Sequence, residues 1–210
     1  MTAAPRIAVL GASGAVGRLL VTQALDRGLE VTAIARDAAR IPVPDQARLV
    51  KVAADVHDAG SVIRAAGDAD ALVSGLGVRG GPPGTLTAGA RAAVASGVDR
   101  VVWLGAYGTG ESARPAGVLT RAVLWMLMRN ELADKVAADR TVLTAGGTVV
   151  HAGPMSDGPL ASGRRTVPLS EAPRRIFPAG VSRATVAAAM LDEALTPHHQ
   201  GRIAVPLSRP

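Results

Sequence analysis

Residues Arg6 to Arg36 limit most what this chain can become. Ile7-Ala8-Val9-Leu10 is a short apolar run, and Gly11-Ala12-Ser13-Gly14-Ala15-Val16-Gly17 follows at once. A helix-forming segment, Arg18 to Arg27, comes next, then a second apolar run from Val31 to Ala35. Strand, glycine turn, helix, strand is a βαβ unit with its glycines where the chain leaves the strand. Gly11 lets the backbone turn sharply. Gly14 removes a side chain where a pyrophosphate must approach the helix N-terminus, whose free N–H groups and dipole favour an anion. Gly17 lets the helix pack close to the strands, and Ser13 adds a hydroxyl beside the phosphate path. The spacing is G-x-x-G-x-x-G, not the G-x-G-x-x-G of the commonest dinucleotide fingerprint, so the flanking strand and helix carry the reading as much as the glycines do.

The remainder of the chain repeats that rhythm. Arg48 to Ala53 reads as a third strand closing on Asp55, residues 58–67 as a helix, and Ala69 to Ser74 as a fourth strand ending in Gly75-Leu76-Gly77-Val78. After a Gly-Pro loop, Thr85 to Ser96 is a helix and Arg100 to Leu104 a fifth strand. A long helical region spans about 113–145, with a break expected near Arg129-Asn130; Thr148 to His151 is a sixth strand. Ser182 reads as the N-cap of a helix from Arg183 to Leu195, and Arg202 to Val205 as a last strand. Near-continuous apolar strands alternating with helices predict an α/β fold: a Rossmann-type, doubly wound parallel sheet covered on both faces. The whole chain, 1–210, reads as a single domain. Residues 153–180, rich in Gly, Pro and Arg, read as a small irregular C-terminal cover over a substrate.

Composition narrows the function classes. Cysteine is absent, which removes disulfides, thiol nucleophiles and cysteine-bound metal centres, and the four histidines show no metal-ligand spacing beyond the adjacent pair His198-His199. No metal site is expected. The charge of +6 is spread over scattered arginines, and aromatics are only 2%, so neither the basic stripe nor the stacking residues of a nucleic-acid binder are present. The N-terminus lacks a signal peptide's apolar core, and the most apolar helix candidate, 118–128, is short for a membrane span and contains Arg121. A cytoplasmic, soluble protein is expected, as monomer or homodimer, with no membrane partner.

With these residues in view, the chain resembles the atypical short-chain dehydrogenase/reductases. The branch in question is the NAD(P)H-binding one that holds flavin and biliverdin reductases, quinone reductases and NmrA-like sensors. The resemblance covers nearly the whole chain. It rests on Gly11-x-x-Gly14-x-x-Gly17, Asp55, Gly75-Leu76-Gly77, Lys135 followed by Asp139, Gly153-Pro154-Met155-Ser156-Asp157-Gly158 and Ser182-Arg183-Ala184. It implies adenine beside Asp55 and Val56 and the nicotinamide ribose near Gly75 to Val78, with the pyrophosphate on Gly11, Ser13, Gly14, Ala15, Val16 and Gly17. Binding at the carboxyl ends of parallel strands makes the same prediction independently. Asp55 has a second reading, as the cap of the helix after it.

The cofactor type turns on Arg36. An NAD site offers a carboxylate to the ribose 2′-hydroxyl about 20 residues after the glycines, whereas an Arg nearby accommodates a 2′-phosphate. Here the strand ends in Arg36, with Arg40 one turn on, and Asp37 between them competes. NADP is expected, with NAD possible.

Catalysis is where the family pattern fails. The superfamily places a Ser at the end of strand five and a Tyr-x-x-x-Lys on the following helix; here Gly105 or Ala106 occupies the first position and Glu131 stands four residues before Lys135. Lys135 remains a candidate for the ribose. The candidates left for proton handling are Tyr107 (the chain's one tyrosine), Glu131 and His151 at the end of strand six, each with a bland reading as a packed or surface residue. The expected acceptor-side wall is Leu76, Gly77, Val78, Ala106, Tyr107, His151 and Met155. Two functions follow. One is an NADPH-dependent reductase for a flavin, quinone or other conjugated small molecule; the other is an NADP-binding sensor without turnover. A non-redox enzyme on the same fold is a third.

Overall fold

The computed structural model describes residues 4–77, 82–113, 117–173 and 179–208, and within the long fourth helix it describes side chains only from Glu131 onward. The strands are β1 (Arg6–Leu10), β2 (Glu30–Ala35), β3 (Leu49–Ala53), β4 (Ala71–Ser74), β5 (Val101–Ala106) and β6 (Thr148–Ala152), followed by β7 (Met155–Ser156), β8 (Arg164–Pro168), β9 (Val181–Ser182) and β10 (Ile203–Ser208). The helices are α1 (Ala15–Asp26), α2 (Ala59–Ala66), α3 (Thr85–Ala95), α4 (Gly117–Thr144) and α5 (Arg183–Leu195). One eight-stranded sheet runs β3-β2-β1-β4-β5-β6-β10-β8. Every pair in it is parallel except β10 with β8. The order reverses between β1 and β4, which makes their carboxyl ends the switch point where ligands bind in such folds.

Alternation along the strands feeds two cores, because successive side chains point to opposite faces. Ile7, Val9, Val31, Val73, Val102 and Val150 meet α1 and α5 on one face. Ala8, Leu10, Leu72, Val101, Trp103 and Val149 meet α2, α3 and α4 on the other. The N-cap of α5 is as the sequence predicts: Ser182 Oγ accepts the Thr185 N–H at 3.1 Å.

Two expectations change. α4 is continuous from Gly117 to Thr144, with no break at Arg129-Asn130. Neither residue is a glycine or proline, and the modest propensity cost of a single Asn does not break a helix of this length. Residues 153–180 are less irregular than expected, because Arg164–Pro168 forms an antiparallel edge strand on β10, Leu207↔Arg165 through Ala204↔Pro168. An edge strand shows one side to solvent, so it tolerates arginines and a proline that a central strand would not.

Candidate functional site

The turn after β1 is shaped by contacts that only glycine allows. Gly11 has φ +77°, and a Cβ there would stand 2.9 Å from Leu76 Cα, so the turns after β1 and β4 touch backbone to backbone. A Cβ on Gly17 would lie 2.0 Å from the Gly11 carbonyl oxygen, which fixes how closely α1 starts over the turn. Gly14 is the N-cap of α1; no side chain caps the helix there, and its first turn carries no acidic residue. The N-terminal N–H groups therefore lack a protein side-chain acceptor and present partial positive charge to the switch point. Ser13 and Ala15 are exposed beside this opening, and Val16 is buried. The donor set fits a pyrophosphate.

Ser13, Arg36, Asp37 and Arg40 come together around one pocket of about 320 Å³. Asp37 Oδ1 accepts the Ala39 N–H at 3.0 Å, capping the 3-10 turn Ala38–Arg40. The carboxylate that competes for a ribose is thus engaged in holding the turn that presents Arg40. Two guanidinium groups and a hydroxyl face a space beside the pyrophosphate opening, a donor set that fits a 2′-phosphate.

Asp55 lies exposed just past β3, and its Oδ1 accepts the His57 N–H at 2.9 Å. The cap of α2 is instead Asp58, whose carboxylate accepts the Ser61 N–H at 3.3 Å. Asp55 therefore orders the turn before the helix and does not cap it. Val56 is buried in the α2–α3–α4 core. Gly75 is closed in, since a Cβ there would lie 3.0 Å from Gly17 N, whereas a Cβ on Gly77 would meet nothing within 4 Å. Leu76 donates its N–H to Ser74 Oγ at 3.3 Å. Val78 lies outside the described residues.

At the ends of β5 and β6 the arrangement is closed. Gly105 pairs with His151 across the strands. A Cβ at Gly105 would stand 2.5 Å from His151 Cδ2, so the imidazole fills the space a side chain at 105 would need. His151 is fully buried. Its Nδ1 is 2.7 Å from Ser112 Oγ and its Nε2 is 3.0 Å from Asp139 Oδ2. Asp139 is buried as well, and its Oδ1 has no partner. Tyr107 is 7% exposed, packs with Val167, Ala172 and Val205, and burial pushes its phenol pKa up. Met155 is half-buried in β7.

Glu131 and Lys135 lie half-buried on α4. Between them Asp134 accepts the N–H groups of Leu86 and Thr87, both at 2.9 Å, and the Thr87 hydroxyl. Because Gly84, the N-cap of α3, offers no side chain, a residue of α4 caps its neighbour. Burial alone would raise the Asp134 carboxyl, but those hydrogen bonds, with the Lys135 charge, outweigh it and hold it below the usual aspartate range. Sequence reading missed Asp134, whose partners on α3 lie 47 and 48 residues away, and the tie from Ser112 to His151, 39 residues away. A further cavity of about 680 Å³ lies beside α4 over β6 and β10, touched by Glu111, Asp139, Arg140, His151 and Ile203. It is separated from the glycine turn by β4 and β5. Among the described residues no helix is long and apolar enough to cross a membrane.

A family model described as NAD(P)H-binding matches residues 11–197. A short-chain dehydrogenase/reductase from Veillonella parvula, solved with NADP, superposes with a TM-score of 0.79 at 17% identity, over 98% of this chain and 95% of that one. The anaerobilin reductase of Escherichia coli O157:H7 gives 0.74 at 20% identity, over 98% and 99%. A Rossmann-fold NAD(P)-binding family protein from Shigella flexneri gives 0.72 at 20%, over 98% and 94%. At these identities the superpositions speak for the fold.

Proposed function

The chain belongs to the NAD(P)H-binding family, and from that premise we propose that it is an NADPH-dependent reductase acting on a flavin, a quinone or another flat conjugated small molecule. The bound nicotinamide supplies the hydride. The protein's residues bind, orient and exclude. The N-terminal N–H groups of α1 hold the pyrophosphate, with Ser13 beside it. Arg36 and Arg40 take the 2′-phosphate, and the Asp55–Val56 turn flanks the adenine. Gly75 to Gly77, with Lys135, receive the nicotinamide ribose.

The choice of acceptor is carried by the end of β5. With the His151 ring in the space at Gly105, no hydroxyl-bearing side chain can stand there, and Ala106, the other candidate for that position, carries no hydroxyl. The other family hydroxyl is replaced by Glu131. An acceptor whose reduced form takes its proton from water suits such a site. That describes conjugated rings better than isolated carbonyls. A solved relative described as an anaerobilin reductase supports a reductase. We further propose a monomer or homodimer whose partner is a small molecule.

The missing hydroxyls equally favour a second reading, an NADP-binding sensor that does not turn over. Loss of NADPH absorbance with a panel of flavin and quinone acceptors separates the two. Turnover above the rate of free NADPH supports the reductase, and tight NADPH binding with no turnover on any acceptor supports the sensor.

A further inference from the structure

We propose that His151 is a positioning residue: anchored by Asp139, it sets the turn 107–112 through the hydroxyl of Ser112, and so places the acceptor-side wall of the crevice. The inference deepens the reductase reading above and rests on it for the identity of that wall.

Three elements meet at the imidazole. Asp139 comes from α4, His151 from β6, and Ser112 from the turn that follows β5. Ser112 Oγ accepts the Gly108 N–H at 2.8 Å and lies 2.9 Å from the Thr109 carbonyl. The same turn is tied down twice more. Tyr107 donates its N–H to the Ala152 carbonyl at 2.8 Å, and Thr109 Oγ1 donates to the Ala106 carbonyl at 2.8 Å. Ser112, His151 and Asp139 have the composition of a hydrolytic triad. However, Ser112 is fully buried with its hydroxyl engaged on three sides, so it acts as a strut.

Proton counting shows how the strut works. Ser112 has one hydroxyl proton and two candidate acceptors, Thr109 O and His151 Nδ1. With His151 Nε2–H donated to Asp139, Nδ1 is left to accept that proton. Asp139 thereby selects the tautomer that holds Ser112, and the Thr109 carbonyl keeps the Ser112 N–H at 3.1 Å. The glycine at 105 is part of the same device, since the ring can reach this position only where no Cβ stands.

The test uses the one tyrosine of the chain, Tyr107, as a probe within the turn. Protein labelled with tyrosine carrying ¹³C only at Cζ gives a single ring signal that needs no substrate. Ser112→Ala and His151→Gln should move or broaden that signal. Both should also raise the acceptor KM about tenfold, the scale of one hydrogen bond, while kcat and the NADPH Kd stay near wild type. His151→Asn sets its amide near the Nδ1 position and keeps Ser112 held, so although it leaves Asp139 unpaired it should recover most of both readouts. His151→Gln keeps the contact with Asp139 and should not. A Ser112→Ala protein with unchanged tyrosine signal and KM overturns the proposal, as does a His151→Gln protein that behaves like His151→Asn. If the histidine variants fail to fold, Asp139→Ala, which leaves the imidazole and Ser112 with its contacts to Gly108 and Thr109 in place, decides: it should move the tyrosine signal, and a signal and KM like wild type overturn the proposal. If wild type reduces no acceptor, the reductase reading falls, and the tyrosine signal by itself decides whether His151 sets the turn.

Discussion

The turn after β1 and the turn after β5 leave the same edge of one sheet, yet the first leaves its helix donors uncapped and the second consumes its donors internally. Around Gly11, Gly14 and Gly17 side chains are missing, and no side chain caps α1. Around Tyr107 to Ser112 the Tyr107 and Gly108 N–H groups are both taken, one by Ala152 O and the other by Ser112 Oγ. The difference teaches how one scaffold serves two demands. A phosphate needs bare backbone donors, so the cofactor side is defined by what glycine leaves out. The other side, the acceptor wall in the proposed function, is held in shape by buried hydrogen bonds.

The largest effect should come from filling the glycine side. Gly17→Val sets a Cβ 2.0 Å from the Gly11 carbonyl oxygen. Overpacking against backbone at that distance should cost about 3 kcal/mol. Thermal unfolding should show the loss, and cofactor binding should go with it. A variant as stable as wild type would mean that the turn is looser than its geometry.

Next in size is the pocket formed by Ser13, Arg36, Asp37 and Arg40. Arg36→Ala should weaken NADPH binding by about 1.5–3 kcal/mol, the scale of charge-assisted hydrogen bonds, and leave NADH nearly unchanged. Calorimetric titration of both cofactors checks this, and equal losses would place Arg36 away from the 2′-phosphate.

A smaller effect tests the cap that Asp134 of α4 gives to α3. Asp134→Ala should cost about 1 kcal/mol, as loss of a helix cap does. The folded carboxyl is held below its ordinary value, so its contribution is complete above the unfolded aspartate pKa, about 4, and is lost as pH falls through the lowered folded value. The stability gap between wild type and Asp134→Ala, read from denaturant melts, should be full at neutral pH and close in acid.

The smallest effect is expected at Tyr107. Tyr107→Phe keeps the packing on Val167, Ala172 and Val205 and should lower the reduction rate less than tenfold, whereas losing a general acid costs about 10²–10⁴-fold. A collapse of turnover with NADPH binding intact would make the second turn chemical as well as structural.

The local half of this protein was legible in its residues. Apolar runs alternating with helix formers predicted the strands and the order β1-α1-β2. The glycine spacing predicted the open turn, and Ser182 predicted the start of α5. These signals are readable because the physical causes, side-chain size, backbone freedom and capping, act within a few residues of where they are written. Residues 153–180 looked irregular because β8 has no pattern of its own; it becomes a strand by pairing with β10, which lies beyond α5. His151 offered two readings, pocket lining or satisfied core. Its partners Asp139 and Ser112 lie 12 and 39 residues away, and only the β5–β6 register, which sets it opposite Gly105, brings them together. The sequence by itself determined where backbone is left bare for a cofactor; the tertiary structure alone decided which buried side chains hold the opposite turn, because a hydrogen bond between distant residues exists only once the sheet has chosen its register.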